Sequence, residues 1–388
     1  MAETENKLLE MKQANFMKAI NRDPSAYVPL LISASNATIA YKGHTVTEVW
    51  DDPYHYALYM TEIFDDMWAD AIWVFGAVYG KWLDGILGPN QNVMGPDGVT
   101  PEHVQISLMK RDEYDLLIAD PDAFITEVML PRKYPRLFED REHAKTALKA
   151  YNDDNVNTLI MLGGALNQMA AEKYGIFAAG NSAEMRWNPM DLIFDYLRGF
   201  SGSLTDLRRQ PEKMMQAIDT LWEVRTSKLI DHPIEKFPYV LQFPHIAPYL
   251  SPKQFEQFYW KYEKKIVEKI AEYDNKLLIT LENKWRPVFD CLKDVPKDSM
   301  ILCPEDDDIV DTYRYLGDHH IIGGGVRMVD VKTKDKATLL DGVKETLDIC
   351  ARDGGFLFVQ DKCWICPDDI SQNMIDVYNF VHDYTSNK

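Results

Sequence analysis

The chain has 388 residues, 46% of them hydrophobic, and 42 Lys and Arg against 61 Asp and Glu give it a formal charge of −19. That apolar content fills a large core, and the length suits a barrel of about 250 residues with insertions. The negative charge repels phosphate backbones and anionic headgroups, which argues against nucleic acid and membrane surfaces as partners.

No run approaches the ~20 apolar residues of a spanning helix. The start, MAETENKLLEMKQ, is charged and amphipathic, unlike a secretory signal. The expected location is therefore cytoplasmic. The cysteines, Cys291, Cys303, Cys350, Cys363 and Cys366, are odd in number and gathered in the last quarter of the chain, so they read as free thiols.

After an amino-terminal helical extension, short apolar runs alternate with longer helical patterns. The first strands are YVPLLIS (Tyr27 to Ser33), AIWVFGA (Ala71 to Ala77), GIFAAGN (Gly175 to Asn181) and PYVLQFP (Pro238 to Pro244). Four more end at Glu282, Glu305, Gly325 and Gln360. Gly and Pro punctuate an insertion after the second strand, about 81–157, that reads as a lid or cap and not as a separate domain. Ser251 and Pro252 suit the start of the helix after the fourth strand, and Gly354 and Gly355 stop the one before the eighth.

Eight strands alternating with helices predict an α/β chain folded as one (β/α)8 TIM barrel over 1–388. An open doubly wound sheet is the alternative, but no Gly-rich dinucleotide turn follows the first strand.

Ordered landmarks along nearly the whole chain carry a family resemblance. They are Tyr27-Val28-Pro29, Gly43 to Glu48, Asp52-Pro53, Arg198-Gly199, Asp206-Leu207, Pro211-Glu212, Ser251 to Phe255, Cys303 to Glu305, Gly323 to Gly325 and Pro367 to Asn373. In this set the chain resembles corrinoid methyltransferases of the uroporphyrinogen-decarboxylase superfamily.

Two departures narrow what the resemblance implies. The decarboxylases hold their polycarboxylate substrate with an Arg-rich loop, whereas Leu31 to Ala40 (LISASNATIA) carries no basic residue. Thiol-methylating relatives bind zinc through His-x-Cys after the fifth strand and a Cys after the eighth; here Thr280-Leu281-Glu282 and Cys363 stand at those places. A hard carboxylate suits a thiolate substrate poorly.

The resemblance then implies methyl transfer from a methoxylated, aromatic compound to the cob(I)alamin of a separate corrinoid protein, as in the first methyltransferase of anaerobic O-demethylase systems. Zinc held by Glu282, Cys363 and Glu305 would polarise the ether oxygen. The alternatives are a decarboxylase-like lyase, a coenzyme M-type thiol methyltransferase, and a non-catalytic barrel that binds a corrinoid or an aromatic compound. Pairing as a homodimer is left open.

Barrel chemistry sits at the carboxyl ends of the strands. Glu282, Glu305 and His245 are the candidate catalytic residues, and Glu282, Cys363 and Glu305 the metal set. The plainer readings are an ion pair of Glu282 with Lys284 or Arg286, helix capping by Glu305, and a satisfied loop histidine at His245. Cys366 reads as a small buried hydrophobe. Asn181, Trp187, Trp364 and Phe75 are candidate substrate contacts, the two Trp as walls for a flat ring or a corrin. His319 and His320 precede the seventh strand and fall at the opposite face.

Overall fold

The computed structural model describes residues 2–24, 26–75, 85–88, 92–104, 107–155, 163–180, 186–232 and 239–386. Each of the eight expected strands is present, mostly shorter than its apolar run. They are β1 (Leu31–Ala34), β2 (Ala71–Phe75), β5 (Phe177–Ala178), β6 (Tyr239–Gln242), β7 (Lys276–Leu281), β8 (Met300–Pro304), β9 (Ile321–Val326) and β10 (Phe356–Gln360). Tyr27 to Pro29 drops out of β1. Pro29 has no N–H for a ladder, although its carbonyl still accepts from Phe358 N at 2.9 Å.

All pairings among these strands are parallel. One sheet runs β1-β2-β5, the other β10-β9-β8-β7-β6. Parallel bridges from Leu30 to Phe358 and from Ala34 to Trp364 join β1 to the β10 side. The remaining seam, β5 against β6, carries no ladder among the described residues. It is a close packing contact instead: a Cβ on Gly180 would lie 2.8 Å from the Tyr239 ring and 3.0 Å from the Leu241 side chain. Only glycine lets the backbone approach that near.

Alternation along the strands sorts their side chains into two layers. Leu31, Trp73, Tyr239, Leu241, Leu278, Ile301, Cys303, Ile321, Leu357 and Val359 share one buried cluster, to which Ala179 just after β5 also belongs. Their neighbours Leu30, Ile72, Val240, Leu277, Leu302, Ile322 and Phe358 belong to a second cluster with the surrounding helices. Gly323 on β9 leaves space for its neighbour, since a Cβ there would sit 2.5 Å from the Cys303 sulfur.

The expected amino-terminal extension is the helix Ala2–Ile20. Its Phe16, Ala19 and Ile20 enter the inner cluster, and Gly355 N donates to Ala19 O at 3.1 Å. Lys12 fixes it further by donating to Ala69 O at 2.7 Å and Tyr174 O at 3.0 Å. The helix thus packs beneath the amino ends of the strands, leaving the opposite ends to carry chemistry.

Between β2 and β5 lie an antiparallel hairpin, β3 (Asn92–Met94) with β4 (Pro101–His103), and helices that include Tyr114–Ala119 and Arg141–Asn155. Part of the expected insertion, including 81–84 and 156–157, lies outside the described residues. The helix after β6 starts as expected: Ser251 forms a capping box with Gln254, and Pro252 occupies the first turn. Among the described residues no helix is long and apolar enough to cross a membrane.

Candidate functional site

The site is assembled from strand ends. β6 stops at Gln242 and His245 follows three residues later; β7 stops at Leu281, immediately before Glu282; β8 stops at Pro304, immediately before Glu305. The backbone turn after Glu282 is pinned in place. Asn283 adopts the left-handed conformation (φ 57°), Trp285 donates its indole N–H to Glu282 O at 3.0 Å, and Trp285 N donates to Asp307 at 2.5 Å.

His245 lies between two carboxylates. Its Nδ1 is 2.9 Å from Asp195 Oδ2, and its Nε2 is 3.7 Å from Glu282 Oε1. Asp195 comes from the helical stretch Pro189–Leu192 and Ile193–Arg198, which Asn188 caps by accepting from Met190 N at 3.0 Å. One turn earlier, buried Asp191 accepts from Ile246 N at 3.0 Å and from the Tyr259 hydroxyl at 2.7 Å. Asp191 therefore positions the segment that carries His245.

Charge and burial set the protonation of this group. Burial alone would lower His245, but the hydrogen bond and charge of Asp195, aided by Glu282 and Asp191, push it up to about 9. Burial, with the neighbouring Asp195 charge, pushes Asp191 up to about 8. Burial also raises Glu282; His245 opposes it, and Glu305 adds to it. These shifts favour the imidazolium form of His245 and the protonated form of Asp191. The His245 Nε2–H is the proton that a group entering beside Glu282 would meet.

Glu305 is held differently. Its Oε2 accepts from Asn283 N at 2.6 Å, and its Oε1 pairs with Lys362 at 2.9 Å. It does not cap the following helix; Asp308 does, accepting from Asp311 N at 2.9 Å. Glu282 makes its described ion pair with His245, so the bland alternatives with Lys284 and Arg286 do not apply.

Cys363 sits by β1, not by Glu282. Burial pushes its thiol up to about 11, against the hydrogen bonds of Ser33 and Ser35. Among the described residues no three His, Cys, Asp and Glu side chains group as a metal site, so Glu282, Glu305 and Cys363 are not drawn together. The donor arrangement does not fit the zinc site that the resemblance implied, and no step below passes through zinc.

Trp364 is a correction. It is fully buried, its N donates to Ser33 O at 3.0 Å, and its ring meets Tyr378 edge-on with centroids 5.8 Å apart. The loop after β10 turns back as a bridge to Ala34 and drives the indole into the core, where it cannot wall a substrate. Cys366 is also not the buried hydrophobe expected: it is half-buried and caps the turn Pro367–Asp369. Trp187 keeps its place near the site, half-buried with its ring centroid 6.2 Å from that of His245. Asn181 and the side chain of Phe75 lie outside the described residues; the Phe75 backbone ends β2.

The two histidines before β9 are satisfied away from the site. His319 Nε2 is 2.9 Å from Val295 O and His320 Nε2 is 2.6 Å from Leu292 O. Sequence reasoning missed Asp191, Asp195 and Lys362. The helix start Asn188-Pro189 was the available signal for the first two, since it places Asp191 and Asp195 one turn apart.

No family model and no curated protein matches the chain. Among solved structures it is similar to a methyltransferase from Methanosarcina mazei, with a TM-score of 0.60, 14% identity, and coverage of 96% of this chain and 98% of that one. At that identity the likeness is one of fold. Its near-complete coverage of both chains means that the likeness extends over almost the whole of each.

Proposed function

We propose that the chain is a cobalamin-dependent methyltransferase. In this reading it closes as a (β/α)8 barrel of the uroporphyrinogen-decarboxylase superfamily and moves a methyl group from a methoxylated aromatic compound to the cob(I)alamin of a separate corrinoid protein. The fold shared with the methyltransferase from Methanosarcina mazei supports the reaction class. The observation that carries the reading is His245, held protonated to about 9 between Asp195 and Glu282.

Ether cleavage needs a proton for the leaving oxygen as the carbon–oxygen bond breaks. A phenol ionises near 10, as tyrosine does. An imidazolium of about 9 is therefore matched to a phenolic oxygen and gives up its proton only as charge builds there. The corrinoid, when bound, supplies the nucleophile. The ether oxygen keeps the bonding pair and takes the Nε2 proton; Asp195 orients the ring, and Nε2 regains a proton from water between turnovers, facing Glu282 again. Trp187 stands at the side of His245, where a flat ring can pack.

The test is methyl transfer from methoxylated aromatics to cob(I)alamin, followed by its absorbance, in wild type and His245→Gln. The expected loss is about 10²–10⁴-fold for an unactivated aryl methyl ether. It should shrink for a nitrophenyl methyl ether, whose oxygen leaves without a proton. Equal losses on both donors would sink the acid role, and no transfer from any methoxylated donor would sink the function.

A further inference from the structure

Behind Trp187 lies a cavity of about 210 Å³, formed where the helices of the β2–β5 segment meet those that follow β5. Leu117, Met129, Leu192 and Leu221 wall it with apolar surface, and Trp187 and Tyr196 close one side. These two rings meet edge-on with centroids 5.6 Å apart. The helical stretch that carries Tyr196 also carries Asp195, so the cavity and the His245 centre share a partition. Thr226 ties the opposite wall to it by donating to Trp187 O at 3.3 Å.

Two cations line this space, half-buried Lys133 and, at its exposed edge, Arg225. Lys133 lies 5.8 Å from the Tyr196 ring centroid. Burial alone pulls its ammonium below the usual lysine value, and no carboxylate acts to raise it. Among the described residues neither Lys133 nor Arg225 has an ion-pair partner. In a chain with 61 acidic residues and 42 basic ones, two cations lining one pocket, neither ion-paired among the described residues, are out of keeping with the surface at large. A half-buried cation against apolar walls costs free energy unless an anion compensates it. The volume exceeds the roughly 150 Å³ of a cavity that takes up benzene, which leaves room for one ring and one acidic group.

We propose that this cavity is a binding site for a small apolar monocarboxylate, its hydrocarbon part between the leucines and Trp187 and its carboxylate on Lys133 and Arg225. The site is distinct from the His245 centre and does not depend on the methyl-transfer reading. A ligand seated there presses on the far face of the ring that flanks His245.

The test is calorimetric titration of the full chain with benzoate and with benzamide, which has the same shape and no charge. Benzoate should bind at least about tenfold more tightly than benzamide, the discrimination expected of a charged hydrogen bond in an apolar site. Lys133→Gln and, separately, the exposed Arg225→Gln should each cut benzoate affinity several-fold and leave benzamide unchanged. His245→Gln should leave benzoate affinity within about twofold, because that imidazolium is the other cation that could attract it. Absence of benzoate binding, equal affinity for the amide, or a loss confined to His245→Gln would each overturn the proposal.

Discussion

Asp195 lies 2.9 Å from Nδ1 of His245, and the two residues come from helical and loop segments that follow different strands, β5 and β6. Those strands share no ladder among the described residues, so this contact is one of the ties across the seam between them. It also fixes which ring nitrogen faces the open end: with Nδ1 donating to Asp195, Nε2 points toward Glu282.

The pH dependence follows from that geometry. His245 loses its proton as pH rises through about 9, so activity should fall on that limb. Asp195→Asn should move the limb down by about one unit or more, since a carboxylate partner is worth 1–3 units. The sign for stability agrees. A histidine whose value is raised on folding contributes fully below its unfolded value of about 6.5 and loses that contribution up to about 9. An unmoved alkaline limb in Asp195→Asn would show that another group sets it.

Asp191 should act in the opposite direction. The native state keeps its proton to about 8, whereas the unfolded chain releases it near 3.9, so this group costs stability progressively from about pH 4 to pH 8. Asp191→Asn keeps a carbonyl acceptor for Ile246 N, so melting curves should show it gaining on wild type by about 1–3 kcal/mol between pH 5 and pH 8. A constant difference across that range would contradict the assignment.

The two tryptophans once placed together should separate cleanly. Trp364→Ala removes a fully buried indole and should cost about 3–5 kcal/mol in urea unfolding. Trp187→Phe, at a half-buried ring beside His245, should change substrate KM with little effect on the unfolding midpoint.

Metal content separates the site described here from the one that the resemblance implied. Because Cys363 keeps its proton to about 11 and is not grouped with Glu282 and Glu305, Cys363→Ser should leave the zinc content of the purified protein unchanged. Stoichiometric zinc lost in both Cys363→Ser and Glu282→Ala would restore the expected ligand set and displace His245 as the source of electrophilic help.

Strand positions were legible because eight apolar runs, each bounded by turn residues, have few other ways to be buried. The carboxylates that end those runs were legible for the same reason: Glu282 and Glu305 directly follow β7 and β8. What sequence could not supply was which loops fold inward. Trp364 and Cys363 lie within a few residues of a strand end, yet a bridge to Ala34 turns them toward β1. Asp195 was invisible because its role depends on a residue fifty positions away, and no local pattern encodes that pairing.

The helix Ala2–Ile20 has a further consequence for how the chain is made. Ala19 is made long before Gly355, whose N–H its carbonyl accepts, and its neighbours Phe16 and Ile20 share a cluster with Leu357 and Val359. During synthesis Lys12 and Phe16 can meet Tyr174 and Phe177 midway, but the edge of the helix that faces Leu357 and Val359 must wait for β10. Contacts of such long sequence separation slow folding and lengthen exposure to aggregation. A nascent chain stalled before β10 should therefore carry a first helix whose edge at Ala19 and Ile20 is still uncovered and open to chaperones.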